Sequence, residues 1–172
     1  MASHWRALDD EGKFETFCVR AGRDVSTFPR RLLSFDPGNT TGWCVFDGPH
    51  PRWCGQLPLG PHTYWGPKIR ALIIQMKPSV VVLEKFVLYS WKAKSQSWND
   101  MYTSRVIGGI EITCQSLHIP VVQQTAGVGK PFCTDDKLKD WGLYQKSYRH
   151  ADDAIRHMCY YLLFGAGQER GK

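Results

Sequence analysis

Hydrophobic positions change their spacing several times along the chain, and each spacing predicts a different element. Apolar runs at residues 32–35 and 43–46 flank a turn rich in Gly, Pro, Asn and Thr, which predicts a β-hairpin. Residues 53–57 predict a third antiparallel strand, since the prolines on both sides of this run exclude a long helix. The first half of the predicted sheet is therefore three consecutive antiparallel strands.

Strands and helices alternate in the remainder of the chain. Residues 80–84 and 119–124 are apolar runs that predict strands, and the first is typical of a strand buried on both faces. Helical spacing is found at residues 62–76, 102–117, 135–144 and 150–164, and a loop is predicted at 125–134. The order predicts an α/β fold with a mixed five-stranded sheet, three antiparallel strands then parallel strands, flanked by helices.

The first 30 residues lack a sustained period and are polar with mixed charge. We interpret residues 1–30 as an N-terminal extension, either flexible or docked as an arm on the body. Residues 31–172 then form one domain, because a chain of 172 residues is long enough to bury a core of its own.

Charge and cysteine content narrow the class of protein. The 22 Lys and Arg residues exceed the 16 Asp and Glu, and a net charge of +6 favours a polyanionic partner such as nucleic acid. No apolar run has the length of a membrane span and the N-terminus lacks a signal-peptide core, so a cytosolic location is expected. Six scattered cysteines with no C-x-x-C pair predict free thiols.

Acidic residues and one histidine stand at the ends of the predicted elements. Asp36 ends the first hairpin strand, and Glu84 ends the buried run, where a Glu is rarely found unless paired or metal-bound. His150 and Asp153 are three residues apart at the start of the last helix and share one face of it. An ordinary alternative exists for Asp36, because Asp before Pro-Gly is also a favoured turn starter.

These four side chains are predicted to converge, because the two strands end side by side and the last helix crosses the same end. Carboxylates suit Mg²⁺ or Mn²⁺, and an imidazole is acceptable to Mn²⁺. Two such ions activate a water and stabilise the leaving oxygen in phosphodiester hydrolysis. The sequence therefore predicts a metal-dependent phosphodiesterase site.

Basic and aromatic residues of the second half are candidates for nucleic-acid contact. Residues 85–99 mix aromatics with lysines, which suits distorted nucleic acid and equally suits an aromatic core under a long loop. Residues 127–130, Gly-Val-Gly-Lys, lack the earlier Gly and the following Ser or Thr of a nucleotide-binding P-loop. The candidate nucleic-acid-contacting residues are Phe86, Lys92, Lys94, Arg105, Lys130 and Lys137.

Three segments resemble the RuvC family of Holliday-junction resolvases, within the ribonuclease H-like nucleases, and particularly its compact phage-encoded members. Residues 34–42, Ser-Phe-Asp-Pro-Gly-Asn-Thr-Thr-Gly, are similar to the family's Asp-Pro-Gly turn with its following Gly. Residues 81–84 are similar to its apolar strand ending in Glu, and residues 150–154, His-Ala-Asp-Asp-Ala, to its [DH]-x-x-D-A helix start. The resemblance covers about residues 31–165.

The resemblance implies a ribonuclease H-like fold and roles for particular residues. Asp36 would coordinate both of two Mg²⁺ or Mn²⁺ ions and Glu84 one of them, with His150 and Asp153 completing the site. Asp152 falls outside the matched motif.

Further contacts are implied by the same resemblance. Lys130 and Lys137 correspond to lysines near the scissile phosphate, and Phe86 lies near the position of an aromatic residue that stacks at the junction. A homodimer that places two active sites on one four-way DNA junction is also implied.

Other functions remain open at the level of sequence. A flap, replication-fork or general branched-DNA endonuclease would use the same fold, and a non-catalytic nucleic-acid-binding module would keep the fold alone. The complete set of acids argues against the non-catalytic module. An actin-like ATPase shares an Asp-x-Gly-x-Thr hairpin, but 172 residues are too few for its two lobes.

Overall fold

The structure is a computed structural model that describes residues 5–60, 64–85 and 98–165. Six strands and six α-helices are found in these segments. The strands are β1 (Trp5–Ala7), β2 (Leu32–Asp36), β3 (Thr40–Asp47), β4 (His50–Pro58), β5 (Val80–Lys85) and β6 (Val121–Thr125). The helices are α1 (Lys13–Arg20), α2 (Gly66–Met76), α3 (Trp98–Ser116), α4 (Ala126–Phe132), α5 (Asp135–Asp140) and α6 (Arg149–Tyr160).

The strands form one mixed sheet in the order β1-β4-β3-β2-β5-β6. Antiparallel pairing joins β1, β4, β3 and β2, whereas β2, β5 and β6 are parallel. The predicted α/β class, with three antiparallel strands followed by parallel ones, is confirmed. The sheet has six strands where five were predicted, because a three-residue strand such as β1 is too short to show an alternating pattern.

The sixth strand lies within the first 30 residues, at the edge of the sheet. β1 pairs with β4, with Trp5 opposite Gly55. The helix α1 that follows buries Phe14 and Cys18 completely in the core. From Trp5 onward this segment is therefore packed against the body of the protein.

Helices cover both faces of the sheet, and alternate side chains of each strand enter one of two apolar cores. In β2, Leu32 joins the core beneath α1, α5 and α6, whereas Leu33 and Phe35 join the core beneath α2 and α3. Residues 80–83 of β5 are all buried, as predicted for a strand covered on both faces.

Several element boundaries differ from those predicted, and one predicted loop is helical. Residues 126–132 form α4 despite two glycines and Pro131, because α4 packs against α6. α5 stops at Asp140, where Gly142 adopts a positive φ of 73°. The final helix begins at Arg149 and ends in a π-helical turn at Tyr161–Gly165.

The remaining predictions concern thiols and membranes. All six cysteines are free and buried, and burial raises the pKa of Cys133 to about 12, so this thiol is unreactive. None of the helices in the described residues combines the length and the apolar character needed to span a bilayer.

Candidate active site

Three polar side chains lie at or near the ends of the three parallel strands, on the same face of the sheet. Asp36 ends β2, Glu84 lies one residue before the end of β5, and Gln124 lies one residue before the end of β6. Glu84 and Gln124 are register partners. Side chains at alternate positions share a face, so all three point towards α6, as Leu32 and Val82 do.

Asp36 is buried, with 8% of its surface exposed. The turn after it is held by Thr41, whose hydroxyl accepts from the Gly38 N–H at 3.2 Å and donates to the Gly38 carbonyl at 3.0 Å. The Asp36 carboxylate instead lies 3.0 Å from the Nδ1 atom of His150. The carboxylate therefore points to α6 while other groups hold the turn.

Burial and hydrogen bonding have opposite effects on the pKa of Asp36. Desolvation by burial raises the pKa of Asp36, although the hydrogen bond to His150 and the nearby Lys130 ammonium act against it. The same hydrogen bond raises the pKa of His150. The pKa of each partner is therefore shifted upwards, by burial at the Asp36 carboxyl and by the hydrogen bond at the His150 imidazole.

The start of α6 is positioned by the antiparallel strands. Gly42 lies opposite Asp36 in the β2–β3 register, and a Cβ atom at Gly42 would lie only 1.8 Å from the His150 carbonyl oxygen. The His150 backbone N–H donates to the Gln56 side chain on β4 at 3.0 Å. Only a glycine lets the helix start approach the hairpin this closely.

A fully buried histidine holds Glu84. His157 Nε2 lies 3.0 Å from Glu84 Oε2, and its Nδ1 lies 3.0 Å from the Gln124 side-chain oxygen. Since an amide can present either its oxygen or its NH₂ group, Gln124 can accept from the ring or donate to it. Gly129 of α4 passes so close that a Cβ atom there would lie 3.2 Å from His157 Nδ1.

The carboxylate of Glu84 is kept ionised by its neighbours. Burial raises its pKa, but the hydrogen bond with His157 and the charge of Lys130 outweigh burial, so the pKa of Glu84 lies below its ordinary value. A hydrogen bond with Asp36 acts in the same direction. His157 and Lys130 together therefore keep Glu84 negatively charged.

Lys130 inserts its ammonium group among three carboxylates. Its Nζ atom lies 3.1 Å from Asp153 Oδ2 and 3.7 Å from Glu84 Oε2. Burial lowers the pKa of Lys130, but Asp36, Asp153 and Glu84 together outweigh burial and raise it. The ammonium group therefore remains protonated and neutralises part of the cluster.

Asp153 is held from the opposite side by a buried guanidinium. Arg156 donates from one terminal nitrogen to Asp153 Oδ1 at 2.6 Å, from the other to Asp135, and from Nε to the Cys133 carbonyl at 2.8 Å. All three nitrogens of Arg156 are thus engaged. Each oxygen of Asp153 has its own cation, Arg156 on one side and Lys130 on the other.

Comparisons with known proteins bear on the fold. The sequence matches no family model and no curated protein sequence. The structure of Thermus thermophilus RuvC in complex with a Holliday junction substrate is similar, with a TM-score of 0.62 at 14% identity over 79% of this chain and 96% of that one. A second T. thermophilus RuvC structure gives 0.54 at 13% identity over 79% and 97%. The fold is ribonuclease H-like, as in RuvC.

Five residues predicted from the sequence lie together at one end of this RuvC-like sheet: Asp36, Glu84, His150, Asp153 and Lys130. They are joined by the contacts described above. In the part of the chain that the structure describes, no group of three or more His, Cys, Asp or Glu side chains is arranged so that it could hold a metal ion. Lys130 and the two histidines occupy the space between the carboxylates instead.

The other predicted DNA-contacting residues lie elsewhere or outside the description. Lys137 donates to the Phe132 carbonyl at 2.8 Å and covers the Phe132 ring, so it caps α4 and does not reach the carboxylates. Arg105 is on α3, across the sheet, beside Tyr102. Phe86, Lys92 and Lys94 lie outside the described residues.

Sequence reasoning missed the residues that orient the acids. The sequence of α6 contains a pattern that indicates two of them. Polar residues recur at positions 149, 150, 153, 156 and 157, the spacing of one helical face. His157 and Arg156 follow Asp153 by four and three residues on that face. Gln124 stands near the end of its strand as Glu84 does in the neighbouring strand.

Asp152 has a structural role that sets it apart from its neighbour. Its buried carboxylate accepts a hydrogen bond from the Gln145 backbone N–H at 2.8 Å. Burial raises its pKa from 3.8 to about 6, although this hydrogen bond and Arg156 act against the shift. Asp152 therefore fixes the backbone at Gln145, in the segment leading into α6, and its ionised carboxylate lowers the stability of the fold because it is buried.

We expect Asp152→Asn to stabilise the protein above pH 6 and to have little effect near pH 4. Asn keeps an oxygen that can accept from Gln145. The folded-state pKa of about 6 exceeds the ordinary 3.8, so the wild type loses stability between these values as pH rises. The gain at pH 8 should be on the order of 2–3 kcal/mol. Urea unfolding in EDTA at pH 4 and pH 8 measures it.

The exposed Asp140 offers a matched control on α5. Asp140→Asn removes an exposed charge and should keep the free energy of unfolding at pH 8 within about 0.5 kcal/mol of the wild type. A gain from Asp152→Asn that did not depend on pH would contradict the assignment of a buried, ionised carboxylate.

Proposed function

We propose that this protein is a metal-dependent endonuclease that nicks branched DNA, with the four-way Holliday junction as its preferred substrate. The observation that carries the proposal is the cluster of Asp36, Glu84 and Asp153, with His150, at the strand ends of a RuvC-like fold. It would be a compact resolvase of the kind that phages encode, acting as a homodimer in the cytoplasm of a bacterial host.

The donor set of the cluster fits a hard divalent cation. Three carboxylates supply the oxygen ligands that Mg²⁺ and Mn²⁺ prefer, and His150 adds a nitrogen that Mn²⁺ accepts. Their charges are crowded: the Lys130 ammonium lies 3.1 Å from Asp153 and 3.7 Å from Glu84, and His150 Nδ1 lies 3.0 Å from Asp36. Asp36, Glu84, Asp153 and His150 are the residues that would hold the ions.

Bound ions of this kind supply an activated water and stabilise the leaving oxygen in phosphodiester hydrolysis. The protein's own residues provide the frame. His157 and Arg156 fix the orientations of Glu84 and Asp153, which limits the reorganisation needed during reaction. Lys130, with 43% of its side chain exposed, is placed to pair with a phosphate oxygen of an entering strand.

The partner follows from charge and from the similar structure. A net charge of +6 favours a polyanion. The T. thermophilus RuvC structure with the higher TM-score contains a Holliday junction substrate. A flap or fork endonuclease would use the same carboxylates and differs only in the substrate selected.

The deciding experiment compares labelled four-way junction, flap and linear duplex DNA in Mg²⁺, Mn²⁺, Ca²⁺ and EDTA. We expect cutting of the junction in Mg²⁺ or Mn²⁺, with symmetric nicks in opposing strands, and none in EDTA. Efficient cutting of flaps but not junctions would replace the resolvase assignment with a flap endonuclease. No cutting of any substrate in either metal would refute the enzyme and leave a nucleic-acid-binding module.

A further inference from the structure

A polar cavity adjoins the carboxylate cluster beside the start of α6. Its volume is about 460 Å³, within the range of roughly 300–1,000 Å³ that ligand-binding clefts occupy. Lys130 and Asp153 form the wall that the cavity shares with the cluster, and residues between 134 and 156 form the rest. A chain that crosses the carboxylates can therefore continue directly into this cavity.

One face of α6 lines the cavity. Arg149, Asp152, Asp153 and Arg156 all border it, and their spacing of three, four and seven residues places them on one side of the helix. The other side of α6 is apolar and buried, as Ile155 shows. One wall of the cavity is thus the polar face of α6, the helix that also carries His150 and Asp153.

Two of the bordering cations have no ion pair in the described part of the chain. Arg156 is fully engaged by Asp153, Asp135 and the Cys133 carbonyl. Lys146 and Arg149 are both exposed, and neither forms a salt bridge with a described residue. Unneutralised charges at the mouth of a cleft attract anions, because the low-dielectric walls focus their field.

The geometry points to a phosphate-binding subsite in which Lys146 and Arg149 hold the DNA backbone next to the phosphate that is cut. The inference rests on the proposed function, since it requires a strand whose scissile phosphate lies at the carboxylates. Arg149 directly precedes His150 in α6, so a phosphate held there would also fix the strand relative to the site. The occupant is a phosphodiester chain, because the cavity shares Lys130 and Asp153 with the cluster and its lining is mostly polar.

The test measures binding without cleavage. Anisotropy of a labelled four-way junction in EDTA, at several KCl concentrations, gives the affinity and its salt dependence for wild type and Lys146→Ala/Arg149→Ala. Two lost phosphate contacts should weaken binding about 10- to 100-fold near 100 mM salt. The slope of log K against log salt should fall by about 1.8, since each contact contributes about 0.9.

A matched pair separates local contacts from overall charge. Lys68→Ala/Arg70→Ala removes the same two charges from α2, on the opposite face of the sheet, and should bind like wild type. The charge-retaining variant Lys146→Arg/Arg149→Lys should keep the wild-type slope. Circular dichroism checks that each variant is folded.

The outcomes distinguish this subsite from the nuclease. Wild-type binding by Lys146→Ala/Arg149→Ala, or equal losses in both alanine pairs, would overturn the subsite and leave cleavage by the wild type unaffected. A wild type that cuts no DNA, together with the expected loss of binding in Lys146→Ala/Arg149→Ala, would overturn the nuclease and leave Lys146 and Arg149 as a DNA-backbone contact without cleavage.

Discussion

Asp36→Asn is expected to abolish metal-dependent cleavage of branched DNA while leaving the fold intact. Asn has the size of Asp and can still pair with His150, but it brings no negative charge to the cluster. Losing a ligand that contributes several kcal/mol of charge stabilisation lowers the rate by roughly 1,000-fold or more. Single-turnover cleavage of a labelled four-way junction in Mg²⁺ measures the loss.

The stability of Asp36→Asn tests whether cleavage is lost through the missing carboxylate or through unfolding. Burial raises the pKa of Asp36, so replacing its carboxyl with a neutral amide should not lower the free energy of unfolding. Asp10→Asn is the matched control, because Asp10 is also buried but accepts hydrogen bonds from the Gly12 and Phe14 backbone N–H groups, away from the cluster. It should cleave at the wild-type rate. Full activity of Asp36→Asn, or equal losses in both variants, would refute the assigned site.

The sequence was sufficient for the parts of the site that depend on strand ends. Asp36 and Glu84 each follow an apolar run, and parallel strands that neighbour one another end at the same edge of a sheet. The helix start predicted at residues 150–154 was also visible in the sequence, since His150 and Asp153 are three residues apart. These are short-range patterns, and they predicted that three carboxylates and one imidazole lie at one end of the sheet, where the structure has them.

Lys130 illustrates what short-range patterns leave open. Residues 125–134 contain glycines and a proline, which disfavour a helix locally. Packing against α6 overrides this preference, and α4 then carries Lys130 to Asp153. The partnership of His157 with Glu84 spans 73 residues, so no local window of sequence contains it.

The same limit explains the DNA-contacting candidates. Lys137 is basic and close in sequence to Lys130, yet its ammonium group covers the Phe132 ring and bonds the Phe132 carbonyl. No sequence pattern separates Lys146 and Arg149 from the other basic residues. They differ from those residues only because they line the same cavity as Asp153. Charge predicts a class of partner, whereas the fold decides which charges face it.

Gly42→Ala should cause the largest loss of stability among single changes in the hairpin. The added Cβ atom would lie 1.8 Å from the His150 carbonyl oxygen, 2.1 Å from its carbon and 2.7 Å from the Ala151 nitrogen. All three are backbone atoms, so no side-chain rotation relieves the clash and α6 must shift. Overpacking that moves a backbone costs about 3 kcal/mol or more, measurable by urea unfolding.

Gly38 provides the matched control in the same hairpin. A Cβ atom at Gly38 would meet only the Thr40 carbonyl oxygen at 3.5 Å, an ordinary contact, so Gly38→Ala should change stability by about 0.5 kcal/mol or less. Equal stabilities of the two variants would contradict a glycine requirement at the hairpin–helix contact. Because α6 carries His150 and Asp153, folded Gly42→Ala should also lose cleavage, whereas Gly38→Ala should keep it. The glycine after the Asp-Pro-Gly turn is thus required by the helix that it touches, which links the turn motif to the helix motif through one backbone contact.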